Sequence, residues 1–484
     1  MGHAVRSSPR SRRVLGLLSE RRYPAGLAAA YLASQAVLRL LGFRFETGLL
    51  TSAVQDVDPR LLETHLLQSL WYLHGQPPLW NALIGASFKV SHWPQLWHVV
   101  YVGLGLAEIL MLFALQRDLG LPKRASAVLA LLFSLSPEVL LYENFFFYDY
   151  PTLVAVTAGA LAAGRFTARP SLGRGLAFFG VCGYLTLTRT LFELPWLVAV
   201  IVVTLVACRR QRRLVLASCA IPLALLVGVY AKNWFMFGVP STTSWTGMGL
   251  ARVAVEALPL SERRQLVAEG KLHAVSLVTP LAPLRFYEAV GVKLDPPTGI
   301  PLLDETEGPS ATRNLENRTY IRISREYWSD DLWIIFHRTT AYLAAVGRGY
   351  ADFFASPTNA WQGGGNDGHI RSYDHWFTRI VYGRLGPGKV GFFLVAAYIL
   401  ALAAGIVECV RRLRPGADPM TVTIAFATLT LLYVGTIGNF AEVGENFRFR
   451  LVVDPLVLAI CAVVVQRAGR RWLSRSVSRA RPPR

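Results

Sequence analysis

The sequence predicts an all-α multi-pass membrane protein of about ten transmembrane helices, with interfacial helices in its first outer loop and in a long outer region. Three observations predict it. Hydrophobic residues make up 53% of the 484 residues and charged residues only 17%, against about 25% charged in ordinary soluble domains. The 50 Lys and Arg, against 31 Asp and Glu, fall in short clusters between apolar runs of about 20 residues, the length that crosses a bilayer as a helix. The alternating segments of about ten residues that mark a membrane barrel are absent, and no open strand satisfies its backbone in lipid. The same composition excludes a disordered chain. A net charge of +19 would suit nucleic acid, but the cations flank apolar runs instead of forming one patch, so no nucleic-acid partner is expected.

The apolar runs lie near 24–43, 95–116, 124–142, 150–165, 173–188, 191–208, 214–231, 388–408, 419–438 and 451–467. The first follows a basic stretch, residues 1–23, and is too long for the core of a cleaved signal, so it reads as a retained anchor. Orientation follows from Lys and Arg in the short connections. Residues 1–23 hold six Arg and the tail from Arg467 holds seven. Arg117, Lys123 and Arg124; Arg165, Arg169 and Arg174; Arg209, Arg210, Arg212 and Arg213; and Arg411, Arg412 and Arg414 all fall on the same side. Both termini, 1–23 and 468–484, are therefore expected in the cytoplasm, in a plasma (inner) membrane. A seven-span core covers 24–231, an outer region 232–387 and three further spans 388–467. Within the outer region, Leu332, Phe336, Leu343, Val346, Tyr350 and Phe353 recur at helical spacing, which predicts an interfacial amphipathic helix over 320–356. No internal repeat is present. The five cysteines all lie within or at the ends of apolar runs and show no CxxC spacing, so neither a disulfide framework nor a thiolate metal site is expected.

Polar chemistry collects in the outer segments. In the first outer loop, 44–93, Asp56-Val57-Asp58 precedes a stretch with Leu61, Leu62, His65, Leu66, Ser69 and Leu70 that suits a short helix on the membrane. His74-Gly75-Gln76-Pro77-Pro78-Leu79-Trp80 follows, where two prolines fix the chain direction. A carboxylate held just outside the bilayer can take a proton from an acceptor hydroxyl or bind a metal; alternatively the two acids are solvated loop residues. Asp58, before Pro59 and a short helix, could instead cap that helix, which favours Asp56 as the base. The second outer loop, 143–149, carries Glu143, Tyr148 and Asp149 around three Phe. Aromatic faces beside acids suit a sugar ring, and an aromatic belt at the headgroups is the competing reading. Arg189 with Glu193, Lys232, and Arg448 and Arg450 with Asp454 stand at outer ends of spans, on the side where cations are disfavoured. Arg offers a fork to phosphate oxygens; snorkelling to headgroups is the alternative. The His residues show no HExxH pattern, and Glu108, inside a span, has no evident role.

With these motifs in order, the chain resembles the GT-C glycosyltransferases, in the branch of protein mannosyltransferases and bacterial lipid-A aminoarabinose transferases. His74 to Trp80 is similar to that branch's His-Pro-Pro-Leu element, with Gly75-Gln76 inserted. Glu143 followed by Tyr150 resembles its Glu-Arg-Pro-Tyr element without the Arg. Lys232-Asn233 through Gly238, Pro240-Ser241, Gly247 and Gly249 looks like the pattern after the seventh span, and Arg448 to Pro455 resembles the Arg-rich approach to the last. The resemblance covers most of the chain outside 255–320. It implies a polyprenyl-phosphate sugar donor and a glycan, lipid or protein acceptor. It also implies one inverting displacement, with Asp56 or Asp58 as catalytic base. His74, Glu143, Tyr148, Asp149, Arg189, Lys232, Asn233, Arg448 and Arg450 would lie around the substrates. A divalent ion, if one is used, would be held by Asp56, Asp58 and Glu143. The rival expectation is a transporter or flippase of a lipid-linked envelope intermediate, which tends to show repeats and charged sites near the midplane.

Overall fold

The computed structural model describes residues 9–51, 55–91, 93–359, 361–384 and 389–479. The first eight residues of the basic N-terminus and the last five of the basic tail lie outside the described residues. The helices in order are α1 (Pro9–Leu40), α2 (Pro59–Thr64), α3 (Leu66–Tyr72), α4 (Pro78–Val90), α5 (Gln95–Asp118), α6 (Lys123–Ser134), α7 (Pro137–Glu143), α8 (Asp149–Ala168), α9 (Leu172–Thr188), α10 (Leu194–Ala207) and α11 (Arg212–Phe237). They continue with α12 (Thr246–Ala251), α13 (Leu260–Ala268), α14 (Leu284–Glu288), α15 (Pro301–Asp304), α16 (Thr319–His337), α17 (Thr339–Phe353), α18 (Asp367–Ile380), α19 (Phe392–Arg412), α20 (Pro419–Phe440), α21 (Asn446–Leu451) and α22 (Asp454–Arg479). Among the described residues there is no strand, only two isolated bridges, Glu46–Phe145 and Glu307–Arg313.

Each of the ten apolar runs lies on a helix or, for 124–142, a helix pair. Among the described residues, α5, α11, α19 and α20 are long and apolar enough to cross a membrane, and α6 with α7 makes a fifth if the pair counts as one span. That pair is bent by 61°, so the run at 124–142 is not one straight helix. The cause is local: Pro137 opens α7, and the Ser136 hydroxyl donates back to the Phe133 carbonyl at 2.8 Å, which turns the chain out of the helix. The run at 150–165 is short and less apolar because α8 faces protein. It packs against α5, α9 and α20, and most of its residues from Asp149 to Phe166 are buried. A Cβ at Gly159 or Gly164 would stand 2.8 Å from Phe426 or 2.3 Å from Thr423 of α20; small residues of this kind let two helices approach closely. The N-terminal basic stretch does not precede the first helix but enters it, since α1 begins at Pro9.

Residues 232–387, the outer region of the sequence-derived topology, have their own core, running from Trp245 to Val346 and distinct from the core of the bundle. The helix expected over 320–356 is two, α16 and α17, broken at Arg338, where φ is −129°. The Thr339 hydroxyl donates back to the Ile335 carbonyl at 2.7 Å, a local bond that competes with helix continuation. The apolar stripe divides with it: Val346 and Phe353 are buried, while Leu332, Phe336 and Leu343 stay exposed. The first outer loop likewise holds α2 and α3 separated at His65, then α4. Pro59 and Pro78 occupy first helical positions there, where a missing N–H costs nothing. α18 has no counterpart in the sequence-based expectation.

Candidate active site

The two acids of the first outer loop have opposite surroundings. Asp58 caps α2, accepting from the Arg60 N–H at 2.9 Å. It also accepts from the Ser310 N–H at 2.9 Å, the Ser310 hydroxyl at 3.1 Å and the Thr312 hydroxyl at 3.2 Å. Its lone pairs are taken up in joining the loop to the outer region. Asp56 is different: its Oδ2 is buried and has no hydrogen-bond partner. Burial pushes this carboxyl up to about 7, and the neighbouring Trp80 side chain pulls the other way. The Trp80 indole N–H faces the carboxyl without closing a hydrogen bond and is itself without a partner. The first turn of α4 holds the segment in place, because Asn81 Oδ1 accepts the Val57 N–H at 2.9 Å. A carboxyl that titrates near neutrality in a water-poor site is suited to move a proton.

Trp80 leads to the second outer loop. Its ring stacks on Phe146 at 5.3 Å and meets Tyr148 edge-on at 6.1 Å. The Tyr148 hydroxyl donates to Gln55, next to Asp56. The Arg189 guanidinium lies 5.4 Å over the same ring, so Tyr148 joins the two loops to a cation. Asp149 is the first residue of α8 and accepts from Arg448 Nε at 2.9 Å. Arg189, directly after α9, places Nη1 2.7 Å from Asp149 Oδ1. The pair is ionic only: the N–H directions do not meet the oxygen, and both Arg189 Nη atoms remain buried without hydrogen-bond partners. The guanidinium lies 5.4 Å over Tyr148 and 5.1 Å over Phe449, and Arg448 lies 5.0 Å over Phe147. Arg448 is further occupied by Glu445. The cluster therefore sets Arg189, ion-paired to Asp149 but with Nη2 lacking a hydrogen-bond partner, and the Asp56 Oδ2 among aromatic walls. The three Phe of the second loop form this wall instead of a lipid-facing belt, since Phe145, Phe146 and Phe147 are all buried.

Six candidates fall outside this cluster. Asp58 is engaged as described. His74 is fully buried; its Nε2 bonds the Glu316 carbonyl at 2.9 Å and its Nδ1 the Ser244 hydroxyl at 2.7 Å. Those partners assign a neutral ring that donates from Nε2 and accepts at Nδ1, and burial lowers its pKa in keeping with that form. His74 thus has no ring nitrogen left for a substrate. Glu143 faces α1, where it accepts from the Tyr31 hydroxyl and from Gln35 Nε2 at 3.2 Å. Lys232 donates to the Leu73 carbonyl, and Asn233 Nδ2 donates to the Ser241 carbonyl at 2.8 Å. Arg450 turns away from Arg448: Nη1 donates to the Ala355 carbonyl at 3.1 Å and Nε lies 3.3 Å from Asp454. Its ring neighbour Tyr382 donates to Glu138. Glu193 also parts from Arg189, taking the hydroxyls of Tyr230 and Thr242.

Asp56, Asp58 and Glu143 do not converge, because Asp58 is occupied by the outer region and Glu143 by α1; these three do not fit a shared divalent ion. Among the described residues no group of three or more His, Cys, Asp or Glu is placed to hold one. Sequence reasoning missed Asn81, which fixes Asp56, and Glu316, which accepts the backbone N–H of both His74 and Gly75 at 2.9 and 2.8 Å. Asn81 adjoins the His74–Trp80 element and was within reach of that motif; Glu316 has no sequence signal. No protein-family model, curated protein or solved structure matches the chain.

Proposed function

We propose that this protein is an integral membrane glycosyltransferase of GT-C type, moving a sugar from a polyprenyl-phosphate donor to a glycan, lipid or protein acceptor at the outer face. In this reading the chain crosses the inner membrane ten times with both termini in the cytoplasm, and the helices too short or too polar to span alone, such as α8, do so inside the bundle. The observation that carries the reading is that Tyr148 joins the two sides: its hydroxyl donates to Gln55, next to Asp56, whose Oδ2 is buried without a hydrogen-bond partner, and the Arg189 guanidinium lies 5.4 Å over its ring.

The chemistry is one displacement. Asp56 takes the proton from the acceptor hydroxyl. The oxygen's electron pair forms the new bond at the anomeric carbon, from the face opposite the phosphate, and the sugar–phosphate bond breaks with its electrons leaving on the lipid phosphate. Arg189 meets the charge that develops there. A preorganised donor at such a position is worth about 3 kcal/mol of transition-state stabilisation. Asp149 and Arg448 hold the Arg189 head in place, and Trp80, Phe147 and Tyr148 supply apolar faces for the sugar ring. The test is an assay of the purified protein with a panel of polyprenyl-phosphate sugars, comparing wild type with Asp56→Asn and Arg189→Ala. Transfer by wild type that is lost in both variants supports the reading, and transfer undiminished in both removes it.

A second reading, transport of a lipid-linked intermediate, is favoured by Glu108. This fully buried acid lies within α5, with one oxygen bonded by Thr157 at 2.8 Å and the other without a partner. Ionisable groups inside spans often mark translocation paths. Flux of a labelled lipid-linked sugar across proteoliposomes, without any transfer product, would select it.

A further inference from the structure

The chain has 12 tryptophans, and in the described part they range from buried through the half-buried Trp97 and Trp333 to exposed. Trp80, Trp196 and Trp245 are buried, whereas Trp71, Trp93, Trp234, Trp328 and Trp376 are exposed by 44 to 62%. Large exposed indoles on an ordinary wet surface are disfavoured. Four of the five are tied to the end of a helix long and apolar enough to cross a membrane. Trp93 stands two residues before α5. Trp234 is in the last turn of α11, next to Phe235, which is exposed by 87%. Trp71 lies two residues from Leu73, whose carbonyl accepts from Lys232 near the same end of α11. Trp328 lies one turn after Arg325, whose guanidinium donates to the Phe237 and Gly238 carbonyls at 2.5 and 3.2 Å, where α11 stops. Gly238, at φ +65°, leaves the space that Arg325 fills. Three separate elements thus bring an indole to the end of one helix, and a fourth indole stands at the α5 end that the charge-derived topology places on the same side. From Trp328 the exposed face of α16 continues through Leu332 and Phe336 at four-residue spacing, so it is one stripe.

We propose that outer-leaflet lipid covers this surface: Trp71, Trp93, Trp234 and Trp328 lie in one plane at the boundary of headgroups and acyl chains, and α16 rests in that plane on its Trp328–Leu332–Phe336 stripe. Indoles concentrate at this depth because the ring is apolar and the N–H is wet. The occupant is lipid and not a second protein, because the band is continuous with the apolar flank of α11, where Leu225 and Ile221 are also exposed. Trp376 stands outside the proposal; its helix α18 is tied by Tyr373 to the Leu135 carbonyl at the α6–α7 bend and not to a span end. The outer region is then not a domain held in water above the membrane but one seated on it. The inference rests on insertion in a bilayer and not on glycosyl transfer, so loss of one leaves the other standing.

The test uses the full chain in phosphatidylcholine vesicles. Spin labels at Trp71→Cys, Trp93→Cys, Trp234→Cys and Trp328→Cys, with the five native cysteines replaced, are read for collision with oxygen and with a water-soluble nickel chelate. Leu225→Cys, nine residues inward from Trp234 on α11, marks the acyl interior, and Arg264→Cys on exposed α13 marks water. All four sites should give one depth, between the two references. Nickel access at 71 or 328 equal to that at 264 overturns the proposal, and so does poor access to both reagents, which would mean a protein covers the band. A second measurement needs no cysteine replacement. Native fluorescence quenched by brominated phosphatidylcholine should lose quenchable intensity in Trp71→Phe and in Trp328→Phe, and an unchanged quenchable fraction in both overturns it equally.

Discussion

The two halves of the first outer loop show what different partners do to the same chemistry. On one side, Asp58 and His74 spend every polar atom the geometry allows on the outer region, through Ser310, Thr312, Ser244 and Glu316. On the other, Asp56 Oδ2, the Trp80 indole N–H and the Asn81 amide N are buried without a hydrogen-bond partner. Buried polar groups are nearly always paired, and leaving one unpaired costs about 1–3 kcal/mol. The saturated half is a joint. The unsaturated half carries a standing cost that a packed joint would not retain, which is why the functional reading belongs to Asp56.

The largest effect should come from Asp56→Asn, which keeps the shape and removes the base. Transfer should fall by about 10²–10⁴-fold with donor binding retained, read as initial rates beside lipid-donor affinity. Asp58→Asn should spare the chemical step; if it alone is inactive the roles are reversed, and if both transfer normally the first-loop mechanism is wrong. Next, Arg189→Ala should lower transfer by about 10²–10³-fold, since it removes the guanidinium that lies over Tyr148. Arg448→Ala should cost less directly and act by releasing Asp149. Equal, full activity in both variants would break the distinction between them. On the saturated side, Glu316→Ala should lower unfolding stability by about 3 kcal/mol, because two buried N–H groups lose their acceptor. Thermal melts in detergent would show it, and an unchanged melting temperature would mean the joint is idle.

The smallest effects sharpen the comparison by pH. Asp56 titrates at about 7 in the folded chain, above the ordinary 3.8. Its base form, and with it transfer, should grow as pH rises through about 7. Stability runs the other way: between about 4 and 7 the unfolded chain has released this proton and the folded chain still holds it, so Asp56 makes stability fall as pH rises across that window. Asp56→Asn should flatten that slope. Trp80→Phe removes a donor that favours the charged form, so the midpoint of activity should move up. No movement would make the indole a packing residue alone.

Much of this frame is legible in the sequence, residue by residue. The apolar runs find their helices, Pro59 and Pro78 start theirs, and Asp58 before Pro59 caps as a short polar side chain there should. Legibility ends where partners are distant or where burial comes from protein instead of lipid. α8 is less apolar than a span because its neighbours are helices, and hydropathy alone cannot separate the two. Arg448 and Arg450 look like one basic pair, yet residues two apart on a helix point about 200° apart, and each enters a different cluster. The part of the outer core from Trp245 to Leu315 is assembled from short helices whose apolar residues have no sustained period, so it reads as loop, whereas the helical spacing over 320–356 is legible.

The joint between His74 and Glu316 spans 242 residues of chain, and this sets a timetable. At about 5–20 residues per second of synthesis, the first outer loop leaves the ribosome roughly 12–48 s before its acceptor exists. For that interval the backbone of His74 and Gly75 and the carboxylate of Asp58 must be solvated by water or a chaperone, because Ser310, Thr312 and Glu316 are still unmade. The joint is therefore among the later parts of the molecule to be completed, and a nascent chain halted before residue 310 would carry Asp58 without the groups that occupy it.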